Sequence, residues 1–141
     1  MRIEVLPKAK ATDFTCDVPW AAISISTDYD WPELNEVNRE GLLRLRFADT
    51  DKDDDGGITE DQAMQILIFV RMSVKSHQAE TLLVHCLMGQ SRSPAVAAAI
   101  CNVLGEDDSY FFKKYTPNRK VYRTILQVAH ERGYDEGRLL D

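Results

Sequence analysis

The stretch "TLLVHCLMGQSRSPAVAAAICNVL", Thr81 to Leu104, joins two apolar runs through a short polar loop. The first run, Thr81–Cys86, has the continuous apolar character of a buried parallel strand. The second run, Ser93–Leu104, is apolar almost all round and ends at Gly105, which predicts a buried helix with a glycine at its end. A strand that passes directly into a helix indicates an α/β sheet.

Other segments of the chain predict more strands. Arg2–Leu6 and Trp20–Ser26 are short apolar runs, and in Leu42–Phe47 leucine and phenylalanine alternate with arginine. Such alternation is typical of a strand with one covered face.

Two further segments predict helices. Thr59–Gln78 has its apolar residues on one face, and Thr59 with Gln62 can form a capping box. A last helix is predicted from Thr116 to near Gly133, with Pro117 in its first position. We therefore expect one α/β domain over residues 1–141. It should have three layers: a central, mostly parallel sheet of about four to five strands, with helices on both faces.

The composition limits the classes of function. The net charge is −6, and an acidic chain is a poor nucleic-acid binder because Lys and Arg hold phosphate backbones. The basic stretch Lys113–Arg123 is predicted to be a solvated helix face, or else a patch near a site for acidic ligands. No apolar run reaches the roughly 18 residues of a membrane span, and the N-terminus lacks the apolar core of a signal peptide. We expect a cytoplasmic monomer that binds neither nucleic acid nor membrane.

The loop "HCLMGQSRSP", His85 to Pro94, has the residues of an anion site. A short loop that opens a helix can turn its backbone N–H groups inward, and the helix dipole adds positive potential. Gly89 allows a backbone turn that a side chain would resist, and Arg92 can bind two phosphate oxygens at once. The predicted phosphate-binding residues are Leu87, Met88, Gly89, Gln90, Ser91 and Arg92.

Cys86 stands where the strand enters this loop. A helix N-terminus and a nearby cation favour the thiolate form of a cysteine, and a thiolate facing a bound phosphoryl group is a nucleophile. Ser93 can donate a hydrogen bond to the sulfur when it leaves again, and His85 is expected to support the loop rather than to bind a metal. The three cysteines have no metal-type spacing and are odd in number, which argues against a disulfide framework.

The pattern His-Cys-x5-Arg-Ser resembles the signature of the cysteine-dependent protein tyrosine phosphatase superfamily. "HCLMGQSRSP" resembles its dual-specificity branch and small bacterial relatives. The resemblance runs from about Leu42 to Ala129. "FADT", Phe47–Thr50, stands where that branch carries its acid-bearing loop, and "TPN", Thr116–Asn118, resembles the start of its late helix. Arg119–Val121 then depart from the small and aromatic residues that often follow in the branch.

This resemblance implies a protein tyrosine phosphatase-like fold and the two-step hydrolysis of a phosphate monoester without metal or cofactor. Cys86 would form a phosphocysteine, and Arg92 would stabilise the phosphoryl oxygens. A carboxylic acid would protonate the leaving oxygen and then activate water. Asp49 is predicted to be that acid because it follows the strand end at Phe47, and Asp51 is the alternative. The expected substrate is a phosphorylated protein or a small phosphoester that presents one phosphate, since Arg92 is the only Lys or Arg inside the loop.

Two other functions fit parts of the sequence. The loop could bind phosphorylated ligands with little or no turnover. A calcium-responsive domain could use Asp51–Gln62, where Asp51, Asp53, Asp55 and Gly56 match positions 1, 3, 5 and 6 of a calcium loop. Position 12 is Gln62 instead of a bidentate glutamate, however, and the preceding segment alternates like a strand. The preferred interpretation is that Asp53, Asp54 and Asp55 form a solvated turn.

Overall fold

The computed structural model describes residues 1–53 and 56–141, so the predicted turn at Asp54 and Asp55 lies outside the described residues. The elements in chain order are β1 (Arg2–Pro7), α1 (Lys8–Ala11), β2 (Trp20–Ser26), β3 (Arg39–Arg46), α2 (Glu60–Lys75), β4 (Thr81–Cys86), α3 (Arg92–Val103), α4 (Ser109–Lys114) and α5 (Arg119–Glu131). The strands form a four-stranded sheet in the order β1-β4-β2-β3, and each neighbouring pair is parallel. The predicted α/β fold is confirmed.

Alternate residues of the central strands face opposite sides of this sheet. Ile23 of β2 and Val84 of β4 pack in the large core formed with α2, α3 and α5. Their neighbours Ala22 and Leu83 pack on the other face, which α1 and nearby irregular chain cover. Strand β4 is buried at every position, and this explains why its sequence is apolar almost without interruption.

Helix α2 begins with the predicted capping box. The Thr59 hydroxyl accepts a hydrogen bond from the Gln62 N–H at 3.1 Å, and the Gln62 side chain accepts one from the Thr59 N–H at 3.0 Å. The Gln62 amide also donates to the carbonyl of Arg46 at 2.8 Å. The end of β3 and the start of α2 are therefore tied together.

The predicted start of the last helix is wrong by two residues, since Arg119 and not Pro117 is its first residue. Helix α5 begins at Arg119, and Asn118 caps it by accepting a hydrogen bond from the Val121 N–H at 3.0 Å. Thr116 cannot cap the helix from its predicted position because the segment before Asn118 pairs with another loop. The N–H groups of Thr116 and Asn118 donate to the carbonyls of Gln90 and Ser91 at 3.1 and 3.0 Å.

In residues 1–53 and 56–141, no helix combines the length and the apolar character that crossing a bilayer requires.

A buried polar pair joins the two central strands. Ser24 of β2 lies beside His85 of β4 in the register, and the Ser24 hydroxyl is 2.5 Å from His85 Nε2. Burial lowers the pKa of His85 to about 4. The imidazole is therefore neutral at physiological pH, and it stabilises the strand that leads into the candidate site.

Acidification should destabilise the fold through His85. An unfolded histidine binds a proton below about pH 6.5, whereas the folded His85 resists protonation until about pH 4. The unfolded state thus binds more protons in that window, and stability falls as the pH falls. Between pH 7.5 and 5.0 the expected loss from this group is about 2 kcal/mol, measured by urea unfolding at the two pH values.

The control is His85→Gln, which can still hydrogen-bond Ser24 but does not titrate. It should lose about 2 kcal/mol less than the wild type over the same interval. Equal losses in the two proteins would show that other groups cause the pH dependence.

Candidate active site

The candidate site is the loop of residues 87–91 between the end of β4 and the start of α3, called here the phosphate loop together with Arg92. Gly89 is buried in this loop with a φ of +67°. A Cβ there would lie 2.7 Å from the backbone nitrogen of Pro7. Both the left-handed backbone and this close approach to β1 require glycine. The loop is held against the start of α1, directly after β1, by a hydrogen bond from the Lys8 N–H to the Leu87 carbonyl at 3.1 Å.

The backbone of the phosphate loop turns its carbonyls outward. The carbonyls of Leu87, Gln90 and Ser91 accept hydrogen bonds from Lys8, Thr116 and Asn118. In contrast, none of the N–H groups of residues 87–91 donates to a backbone carbonyl among the residues that the structure describes. Because backbone donors normally have partners, this asymmetry leaves a set of free donors of the kind that binds anions.

Arg92 adds a second set of donors. Its side chain is only 5% exposed. One terminal nitrogen donates to the Phe47 carbonyl at 2.8 Å and to the Thr27 hydroxyl at 3.0 Å. The buried Nε has no hydrogen-bond partner in the described part of the chain. Arg92 is thus held by one terminal nitrogen, and because an unpaired buried donor is costly, its Nε–H is a candidate donor to a bound anion.

The sulfur of Cys86 lies at the base of the loop. Cys86 is 2% exposed, and its Sγ is 3.1 Å from the hydroxyl of Ser93 in the first turn of α3. Ser93 is itself fully buried. A thiol or thiolate at the N-terminus of α3 therefore has both the helix dipole and a hydroxyl group beside it.

Asp49 contacts the phosphate loop directly. Its Oδ1 atom accepts hydrogen bonds from the Ser91 hydroxyl at 2.8 Å and from the Asn118 side-chain amide at 2.9 Å. Asp51 lines the same surface cleft as Asp49 and Ser91, but in the described residues no hydrogen bond joins it to the loop. The predicted first choice of acid is thus the aspartate that touches the loop.

Sequence reasoning did not assign roles to Asn118 and Lys120. The Asn118 amide also donates to the Thr50 carbonyl at 3.0 Å, and the Lys120 ammonium donates to the Lys52 carbonyl at 2.7 Å. The motif "TPN" indicated that Asn118 lies at the start of the last helix, but it did not indicate which residues Asn118 contacts. The rest of the basic stretch is mostly solvated: Lys113, Lys114, Arg119 and Arg123 are exposed, and Arg119 lines the cleft beside Asp49.

The predicted calcium pattern has two of its positions engaged elsewhere. Thr59 and Gln62, at positions 9 and 12, form the capping box of α2. The segment that enters the pattern is strand β3, not a helix. Asp55, at position 5, lies outside the described residues. Within residues 1–53 and 56–141, no three carboxylate, histidine or cysteine side chains cluster as metal ligands.

Comparisons with known proteins find relatives by structure. No protein-family model and no curated protein matches the sequence. The human tyrosine phosphatase-like serine/threonine/tyrosine-interacting protein is 18% identical, with a TM-score of 0.65 over 94% of this chain and 92% of that chain. Human DUSP28 is 16% identical, with a TM-score of 0.60 over 93% of each chain. A mouse putative dual specificity phosphatase is 15% identical, with a TM-score of 0.57 over 89% of this chain and 77% of that chain. The chain has the dual-specificity phosphatase-like fold of the protein tyrosine phosphatase superfamily.

Proposed function

We propose that this protein is a metal-independent phosphate monoester hydrolase of the protein tyrosine or dual-specificity type, acting through a phosphocysteine. The observation that carries the proposal is the convergence of unpaired donors on one loop. The N–H groups of residues 87–91 lack backbone acceptors, and the buried Nε of Arg92 lacks any partner among the described residues. A phosphoryl group is the ligand that best satisfies such a set, and Cys86 lies beneath it.

In the first step the Cys86 thiolate attacks phosphorus and the bond to the substrate oxygen breaks. Arg92 and the loop amides stabilise the three equatorial oxygens, which replaces the charge neutralisation that a metal would supply. The leaving oxygen takes a proton from Asp49. Both donors that fix Asp49 reach its Oδ1 atom, so Oδ2 is the oxygen that carries the transferable proton.

In the second step water attacks the phosphocysteine. Asp49, now ionised, removes a proton from that water, and the thiolate leaves. Ser93 donates a hydrogen bond to the departing sulfur from its position 3.1 Å away. Inorganic phosphate is released, and the site returns to its starting state.

The surroundings of Arg92 favour a substrate with one phosphate. Lys8 lines the same cavity as Arg92, but its ammonium is already paired with Asp30 at 2.6 Å. Asp28 lines this cavity as well, so little positive charge is left for further phosphates. The exposed Leu87 and Met88 side chains, 59% and 68% exposed, offer apolar contacts to the group that carries the phosphate. We therefore propose phosphotyrosine or phosphoserine/threonine on a protein, or a small phosphoester, as substrate.

A second candidate is a phospho-ligand binding module with weak or no turnover. One specific observation favours it: the protein with a TM-score of 0.65 is named phosphatase-like and interacting. The donor set of the phosphate loop would serve binding equally well. Stoichiometric binding of a phosphopeptide by the wild type, without release of phosphate, would support this candidate over the hydrolase.

Replacing the nucleophile should abolish turnover. Cys86→Ser is expected to lower kcat for an aryl phosphate by roughly a thousandfold or more, since a hydroxyl is a far weaker nucleophile than a thiolate. Phosphate release is the measurement, and EDTA should leave the wild-type rate unchanged. Cys16→Ser, at a half-buried cysteine, is the matched control and should retain the wild-type rate. Activity that survives in Cys86→Ser, or that EDTA removes, contradicts the proposed mechanism.

Replacing the acid should act selectively on poor leaving groups. Asp49→Asn is expected to lower kcat for phenyl phosphate by about a hundredfold. The loss for 2,4-dinitrophenyl phosphate should be less than about tenfold, because that leaving group needs no proton. Asp51→Asn is the control and should change neither rate by more than about twofold. The acid is misassigned if Asp51→Asn shows the selective loss and Asp49→Asn does not.

Asn118→Ser separates the cap of α5 from the contact with Asp49. Serine is a good N-cap, so the melting temperature should change little. It is too short to donate to both Asp49 and the Thr50 carbonyl, so kcat for phenyl phosphate should fall by about tenfold through misplacement of the acid. The rate with 2,4-dinitrophenyl phosphate should stay near the wild-type value. A parallel loss on both substrates would mean that Asn118 supports only the loop.

A further inference from the structure

Lys120 is a buried cation on the first turn of α5. Its residue is only 9% exposed, and lysine is almost never buried unless its charge has a partner. The partner here is the Lys52 carbonyl, 2.7 Å from the ammonium nitrogen. Lys52 lies three residues beyond Asp49, in the segment that connects β3 with α2. Lys120 also stands in the short run of sequence that departs from the dual-specificity pattern.

The ammonium of Lys120 also contacts the far end of that segment. A Cβ on Gly57 would lie 3.0 Å from Lys120 Nζ and 2.9 Å from the Thr50 side chain. A side chain at Gly57 would therefore require the Thr50 or the Lys120 side chain to shift. We call the described residues 48–53 and 56–57 the acid loop, and a hydrogen bond from the Ala48 N–H to the Gly56 carbonyl at 2.9 Å joins its two parts.

Asn118, the N-cap of α5, and Lys120, in its first turn, thus hold the acid loop at two places along the chain. Asn118 binds the Asp49 carboxylate and the Thr50 carbonyl, and Lys120 binds the Lys52 carbonyl. A hydrogen bond from an ammonium is roughly twice as strong as one between neutral groups. The carboxylates of Asp49, Asp51 and Asp53 outnumber the single cation Lys52 in this loop, which favours the approach of a further cation.

We propose that Lys120 is a positioning residue for the general acid: its ammonium does for this aspartate-rich loop what a bound calcium ion does for a calcium loop. A calcium loop is shaped by carbonyl and carboxylate oxygens around a cation. Here the cation belongs to the chain itself and comes with α5. It fixes the backbone after Asp49, so that the carboxylate stays against Ser91 of the phosphate loop. The catalytic part of this proposal rests on the proposed phosphatase function.

The test removes the ammonium but keeps the packing. Lys120→Met is expected to lower kcat for phenyl phosphate by about tenfold and to change KM little, because the acid and not the binding of phosphate is disturbed. The rate with 2,4-dinitrophenyl phosphate should stay within about twofold. Lys120→Arg keeps a cation and should recover most of the rate. Lys113→Met removes an exposed lysine near the same helix and should have no effect.

A double variant tests whether Lys120 acts through Asp49. In an Asp49→Asn background, Lys120→Met should cause no further loss with phenyl phosphate, since the acid is already absent. A full additional tenfold loss, or equal losses on the two substrates in the single variant, overturns the positioning role.

Hydrogen exchange tests the loop independently of catalysis. The amides of Ala48, Thr50 and Lys52 all donate within the acid loop, and they should exchange faster in Lys120→Met but not in Lys113→Met. Addition of calcium should not slow their exchange in the wild type. Unchanged exchange in Lys120→Met, or slowing by calcium in the wild type, overturns the proposal. If the wild type hydrolyses neither aryl phosphate, the proposed function fails, while the exchange result still decides whether Lys120 holds the loop.

Discussion

The candidate site depends on a loop whose backbone N–H groups have no backbone acceptors in the described part of the chain. Leaving an N–H group or a guanidinium nitrogen unpaired costs free energy, and the phosphate loop concentrates several of them beside Cys86. The carbonyls of Leu87, Gln90 and Ser91 accept hydrogen bonds from Lys8, Thr116 and Asn118, so the surrounding fold holds the loop in this shape. In the proposed function, a bound phosphoryl group supplies the missing acceptors.

The N-terminus of α5 contacts both the phosphate loop and the Asp49 carboxylate. Asn118 uses its backbone N–H for the carbonyl of Ser91, its side-chain oxygen for the cap, and its side-chain amide for Asp49. The same turn carries Lys120 beneath the acid loop. A rotation of α5 would disturb the phosphate loop and the acid together. The packing of α5 against α2 and α3 through buried residues such as Val121 and Ile125 thus also controls the geometry of the site.

Local sequence predicts the parts of the site that lie close together in the chain. The strand ending at Cys86, the turn at Gly89 and the helix beginning at Arg92 are contiguous, so their chemistry and spacing are visible in one short stretch. The contacts from Asn118 and Lys120 span nearly half of the chain and leave no local pattern. The misplaced start of α5 has the same origin. Thr116 and Asn118 are both acceptable caps, and only the pairing of this segment with the phosphate loop selects Asn118. Helices α1 and α4 are too short to give a helical period.

The aspartates of the acid loop differ in their contacts, although they lie close together in the sequence. Asp49, Asp51 and Asp53 are all exposed, but Asp49 alone accepts hydrogen bonds from Ser91 and Asn118 among the described residues. A metal at the centre of this loop would draw carboxylates toward itself and compete with the phosphate loop for Asp49. Lys120 instead binds a backbone carbonyl and reduces the negative charge of the loop, and it leaves the Asp49 carboxylate to Ser91 and Asn118. In the proposed function, a cation that binds backbone in this way keeps the carboxylate available for proton transfer.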